Sequence, residues 1–113
     1  MIDTSGLEHE ILMDLTSEFC GEENFKQNIL AVKIKLAVRE IISKRNYSAT
    51  NWNDEKILSD LYNYYATISN VARYDYNQLG AEGESSHSEN GVVRTYVTRD
   101  NLLKDVHAFV TVI

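Results

Sequence analysis

Apolar residues recur every three or four positions through most of the chain, and polar breaks divide that repeat into segments. Leu7, Ile11, Leu12, Leu15 and Phe19 share one face of a predicted short amphipathic helix. Thr4 or Ser5 can open it, because Ser5 and Glu8 have capping-box spacing, and Gly21 can close it. A second helix is predicted from about Glu22 to Asn46, acidic at its front and carrying Lys44 and Arg45 where the helix dipole favours cations. At about 100° per residue, Leu30, Ile34, Ala37, Val38, Ile41 and Ile42 form one apolar arc, while Ile29, Val32 and Leu36 lie on another side. A helix that is apolar on two sides needs two partners: the next helix on one side, and the N-terminal helix or a neighbouring subunit on the other. After the polar connector Tyr47 to Trp52, Asn53 can cap a third helix with Asp54 and Glu55 in its first turn. Its stripe of Ile57, Leu58, Leu61, Tyr64, Tyr65, Ile68, Val71, Ala72 and Leu79 would extend roughly 40 Å at about 1.5 Å per residue. Gly80 stands where a helix end tolerates positive φ.

Beyond that helix the pattern changes. Ala81 to Asn90 has no large apolar residue, so it is expected to form a mobile polar loop. Val92, Val93, Tyr96 and Val97 restore β-favouring residues, and Asp100 can cap a helical turn through Leu103. Val106, Ala108, Val110 and Val112 then alternate with His107, Phe109, Thr111 and Ile113. Such a strand either closes a small hairpin or is offered unpaired to a partner by β-augmentation. The expected fold is mostly α: an antiparallel pair of long helices plus a short N-terminal helix, with a polar loop and C-terminal strand appendage. Residues 1–79 form the helical domain and 80–113 the segment for assembly contacts.

Composition narrows the functional classes. A chain of 113 residues that is 43% hydrophobic can fold as one small domain. The absence of proline leaves long helices uninterrupted. No segment approaches the roughly 18 apolar residues of a membrane span, and MIDTSGLEHE lacks the features of a signal peptide. A soluble, intracellular protein is therefore expected, consistent with the single cysteine, Cys20. In that setting the acceptor pattern Asn46-Tyr47-Ser48 is a coincidence. A net charge of −6 disfavours non-specific gripping of a phosphate backbone but is compatible with standing beside DNA.

Catalytic patterns are weak. His9 and Glu10 begin a zinc-protease motif, but Met13 occupies the position of the second histidine, so no metal site is expected. Ser86-His87-Ser88-Glu89 gathers reactive types on a loop without the rigid support a triad needs. Gly80 and Gly83 fit no phosphate-binding fingerprint, and Cys20 reads as a small buried hydrophobe. No cofactor is expected. Lys33, Lys35 and Arg39 are the best basic cluster, yet they split between two directions and read as solvated charges or intersubunit ion pairs. Tyr62, Tyr64, Tyr65, Tyr74 and Tyr76 crowd one helix, and tyrosine is enriched at interfaces.

The run GAEGESSHSENGVVRTYV, after a Tyr-rich helix and before Arg99-Asp100-Asn101-Leu102-Leu103, resembles the head–tail connector (adaptor, or DNA-packaging) proteins of tailed bacteriophages. The resemblance spans about Asp60 to Val112. It implies a structural protein, not an enzyme, forming a twelvefold ring on the portal protein after DNA packaging and bridging to a stopper or tail-completion protein. Its implied location is the head–tail interface of the virion, with host cytoplasm during assembly and no membrane. Lys33, Lys35, Arg39, Tyr62, Tyr65, Tyr74 and Tyr76 are then the expected subunit contact. Glu82, Glu84 and Glu89 would face the lumen or a partner, letting DNA pass without specific binding. Arg94 and Tyr96 would anchor the following strand, and Val106, Ala108, Phe109, Val110 and Val112 would dock on the portal. The alternative is a small helical host-directed binding protein, antitoxin-like or a regulator, although a helix-turn-helix reader would want shorter helices and the opposite charge.

Overall fold

The computed structural model describes residues 2–81 and 99–110. Helix α1 is Ser5–Phe19 and α2 is Gln27–Arg45, followed by a single 3-10 turn at Tyr47–Ala49. Helices α3 (Asp54–Asn63), α4 (Tyr65–Ala81) and the one-turn α5 (Arg99–Leu102) complete the described elements. Directions follow from which ends meet. Lys26, just before α2, donates its backbone N–H to the Tyr76 hydroxyl near the end of α4 at 2.9 Å, whereas Arg45 at the end of α2 reaches Asp60 in α3. The α2 and α3–α4 helices are therefore antiparallel. Glu10, Asp14 and Glu18 meet Tyr62, Tyr65 and Arg73 in the same order, so α1 runs parallel to α3–α4 and the three layers form an up-down-up bundle.

Most of the core comes from the predicted stripes, although Leu12, Ile42, Ile57, Leu58, Tyr64 and Tyr65 are only half-buried and Tyr47 of the expected polar connector is buried. Leu7, Ile11, Leu15 and Phe19 of α1 meet Leu30, Ile34, Ala37, Val38 and Ile41 of α2 and Leu61, Ile68, Val71 and Ala72 of α3–α4, all buried. Helix α1 begins where the pattern placed it, but not with the expected cap: Thr4 is the N-cap and its hydroxyl donates to the Glu8 carboxylate, while Asp3 accepts from the Ser5 N–H. Asn53 does cap α3, its Oδ1 accepting from the Lys56 N–H at 2.9 Å.

The helical region departs from expectation at four further points. Helix α2 starts at Gln27, not near Glu22, because Gly21 (φ 97°) and Asn24 (φ 69°) are left-handed and cannot continue a helix. That turn drives Phe25 inward to stack on Phe19 at 5.5 Å beside Tyr76. The third helix is not continuous. At Tyr64 (φ −102°, ψ 18°) the backbone tightens, and its N–H bonds to the Leu61 carbonyl. Asn63, Tyr64 and Tyr65 are indifferent helix formers, and neighbouring tyrosines reach different helices: Tyr64 lies under Arg45, whereas Tyr65 bonds Asp14. Gly80 does not end α4, which runs to Ala81. Cys20 is exposed in the turn just past the end of α1, not buried as expected.

The described part of the C-terminal tail is not a strand. Leu103 and Val106 are buried in the helical core, and the chain from there to Val110 forms neither helix nor strand. Its backbone is satisfied by the end of α2: the Phe109 N–H donates to the Arg45 carbonyl at 2.9 Å, and Asn46 Nδ2 donates to the Phe109 carbonyl at 3.1 Å. A helix C-terminus leaves carbonyls without intrahelical partners, and here the tail supplies one of them. This tail therefore shares a core with the helices. The expected polar loop and the strand from Val92 to Thr98 lie outside the described residues.

Candidate functional site

Two networks of charged groups tie the bundle together and, by contrast, mark what is left open. At one end, Arg45 forms a bidentate pair with Asp60 (Nε to Oδ2 3.0 Å, Nη2 to Oδ1 3.1 Å) and donates through Nη1 to the His107 carbonyl. Its guanidinium lies 4.1 Å from the Phe109 ring centroid, and the Tyr47 hydroxyl donates to Asp60 at 2.6 Å. Phe109 also meets Trp52 edge-on at 4.8 Å and approaches Tyr47. Burial and the bond to anionic Asp60 both push the Tyr47 phenol far above its ordinary value. Farther along, Arg99 forks to both Glu40 and Asp75 at 2.6–2.9 Å, fastening α5 to α2 and α4. Hydrogen bonds to Asp75 and Glu40 raise the Arg99 pKa and keep it cationic.

The seam between α1 and α3–α4 explains most of the crowded tyrosines. The Tyr62 hydroxyl donates to Glu10 at 2.9 Å, and Tyr65 donates to Asp14. Burial, then the bond to Asp14, holds the Tyr65 phenol well above its usual range. Tyr76 accepts from Lys26 and packs in the Phe19–Phe25 cluster. Tyr74 is half-buried and lines a shallow groove of about 240 Å³ with Asn70, Arg73, Asn77 and Leu102. Of these residues, Tyr62 offers the most surface, at 37% exposed.

The outer face of α2 is different. Val32 and Leu36, one turn apart, remain 52% and 51% exposed, although both are large apolar residues in the middle of a 19-residue helix. Lys35 and Arg39 flank them on the side toward α1. Among the described residues, neither these cations nor Lys33 has a carboxylate within ion-pair distance. Lys35 and Val32 line a groove of about 320 Å³ with Ser5, Glu8, His9, Leu12 and Ala31. Arg39 lines the adjoining one, about 290 Å³, with Ile2, Thr4, Glu8, Ile42 and Ser43. Lys33 sits on the opposite flank of the helix and is half-buried, so the structure joins Lys35 with Arg39 and leaves Lys33 apart.

Val106 and Phe109 of the expected docking tail are packed within the chain, while Ala108 and Val110 (77% exposed) are accessible. Glu82, Glu84, Glu89, Arg94, Tyr96 and Val112 lie outside the described residues. No local sequence pattern marks the Arg45–Asp60–Tyr47 network or the Arg99 fork, whose partners are 13 to 59 positions apart. Exposed Met13 does carry a usable signal, an apolar residue on the polar side of α1's helical repeat. Among the described residues no group of three or more His, Cys, Asp and Glu side chains is arranged to hold a metal ion, and no helix is long and apolar enough to cross a membrane. Comparison with protein-family models, with curated proteins and with solved structures returns no match to this chain.

Proposed function

We propose that this chain is a structural head–tail connector of a tailed bacteriophage, assembling as a ring on the portal protein and bridging to a stopper or tail-completion protein. The observation that best supports an assembly role is the outer face of α2, where Val32 and Leu36 stand half-exposed beside cations that no described carboxylate neutralises. On a chain of net charge −6, an apolar strip edged by unpaired cations fits a protein partner better than solvent alone. A ring built by head-to-tail contact needs two different patches on each subunit, and Lys35, Arg39 and the exposed edge of Tyr62 lie on different faces. Lys33, Tyr65, Tyr74 and Tyr76 contribute less surface to such a contact, since each is at least half-buried.

Portal docking is assigned to the tail. Ala108 and Val110 are free to make first contact; engaging Val106 and Phe109 would require the tail to leave its seat on α2. Acidic Glu82, Glu84 and Glu89 would present like charge to passing DNA and so avoid trapping it. The test is co-sedimentation with cognate portal rings, comparing the full chain with one truncated after Asp105. Stoichiometric binding lost on truncation is the expected result. Failure of the full chain to bind would remove the connector reading and favour a host-directed binding protein.

A further inference from the structure

The exposed large apolar residues of the bundle fall into two separate patches of opposite charge. Val32 and Leu36 on α2 are edged by Lys35 and Arg39. Met13 on α1 (41% exposed) and Tyr62 on α3 are edged by Glu10 and Asp14, carboxylates that accept hydrogen bonds from the Tyr62 and Tyr65 hydroxyls. Each patch thus has an apolar centre and a charged rim, the anatomy of a specific interface, and the two are electrostatically complementary.

We infer that these patches bind each other between copies of this chain, Val32 and Leu36 of one subunit packing against Met13 and Tyr62 of the next. The patches differ in height along the bundle. One groove brings Val32 and Lys35 beside Glu8, His9 and Leu12, and the next brings Arg39 beside Ile2, Thr4 and Glu8, so the α2 patch runs along the first half of α1 while Met13 and Asp14 lie farther along that helix. Two different patches meeting between neighbours make the contact heterologous. Such a contact builds a ring when its rotation closes and a filament when it does not. Lys35 and Arg39 opposite Glu10 and Asp14 set register and speed encounter, so assembly is salt-sensitive.

This inference rests on the ring reading, and the experiment separates the two. Full-length chains carrying Cys20→Ser and either Met13→Cys or Leu36→Cys are mixed with portal rings, treated with a short bismaleimide and resolved by mass. The mixture of the two variants should cross-link at least about tenfold more than either variant alone, as expected for a heterologous contact. Lys35→Glu with Arg39→Glu should abolish the product, and adding Glu10→Lys with Asp14→Lys to the same chain should restore assembly; circular dichroism verifies that each variant is folded. Portal-bound rings without the mixed cross-link would overturn this contact and leave the connector standing. The mixed cross-link without portal binding would support the contact and remove the connector. Neither product would overturn both.

Discussion

Two arginine–carboxylate pairs of the same chemistry differ in burial, and burial decides what each is worth. The side chains of Arg45 and Asp60 are 12% and 11% exposed, whereas those of Arg73 and Glu18 are 34% and 45% exposed. Asp60→Ala leaves a guanidinium largely enclosed by Tyr64, Phe109 and the tail, and deprives the Tyr47 hydroxyl of its acceptor. Breaking a buried pair by removing one partner costs about 3–5 kcal/mol. The surviving bond from Arg45 to the His107 carbonyl and the pair's residual solvent access place the expected loss near the lower end, about 3 kcal/mol. Glu18→Ala breaks an exposed pair and should cost no more than about 1 kcal/mol. The assay is urea denaturation followed by helical circular dichroism, with both variants compared at unchanged m. At about 4 °C or more per kcal/mol for a domain of this size, Asp60→Ala should also lower Tm by roughly 12 °C or more. Equal losses in the two variants, or a loss below about 1 kcal/mol for Asp60→Ala, would refute burial as the deciding quantity.

The remaining expectations probe other contacts. Phe109→Ala removes a half-buried ring from between Trp52, Tyr47 and Arg45 and should lower stability by about 2 kcal/mol in the same assay, less than a fully buried aromatic. Tyr76→Phe keeps the packing on Phe19 and Phe25 but removes the acceptor for the Lys26 N–H, a loss of about 1 kcal/mol measured by the urea midpoint. Val32→Ser and Leu36→Ser should each change stability by less than about 1 kcal/mol, since half of each residue is already in water. Tyr47 and Tyr65 have folded-state pKa values raised above the ordinary 10.0, so their contribution is complete below about pH 10 and is lost as pH climbs toward the folded values. Unfolding monitored by phenolate absorbance should therefore begin above pH 10 and become shallower in Tyr47→Phe.

The bundle was legible because its core obeys the helical repeat: Leu7, Ile11 and Leu15, or Leu30, Ile34 and Ile41, are buried as their spacing requires. Asn53 was legible as a cap because that chemistry is local. What escaped depended on partners distant in sequence. The break at Tyr64 arises where successive tyrosines engage different helices. The late start of α2 follows from the left-handed turn at Gly21 and Asn24, which seats Phe25 in an aromatic cluster that includes Tyr76, 51 positions later. The tail's alternation suggested a strand, yet its backbone found partners at Arg45 and Asn46, a helix end with groups to satisfy. At the candidate surface, the apolar second side of α2 was evident at Val32 and Leu36. The tyrosines were harder to assign because a phenol serves an interface and an intrachain carboxylate equally well, and Tyr65 and Tyr76 do the latter.

The most direct test of the connector account is the mass of the complex formed with portal rings, measured by multi-angle light scattering for the unaltered chain and for a Val32→Asp, Leu36→Asp variant. The account expects a saturating ring of many copies per portal for the unaltered chain and loss of that saturation in the variant, with the variant's fold intact. Equal masses for the two would contradict the assignment of the α2 face to assembly, and no mass increase with the unaltered chain would contradict the connector itself.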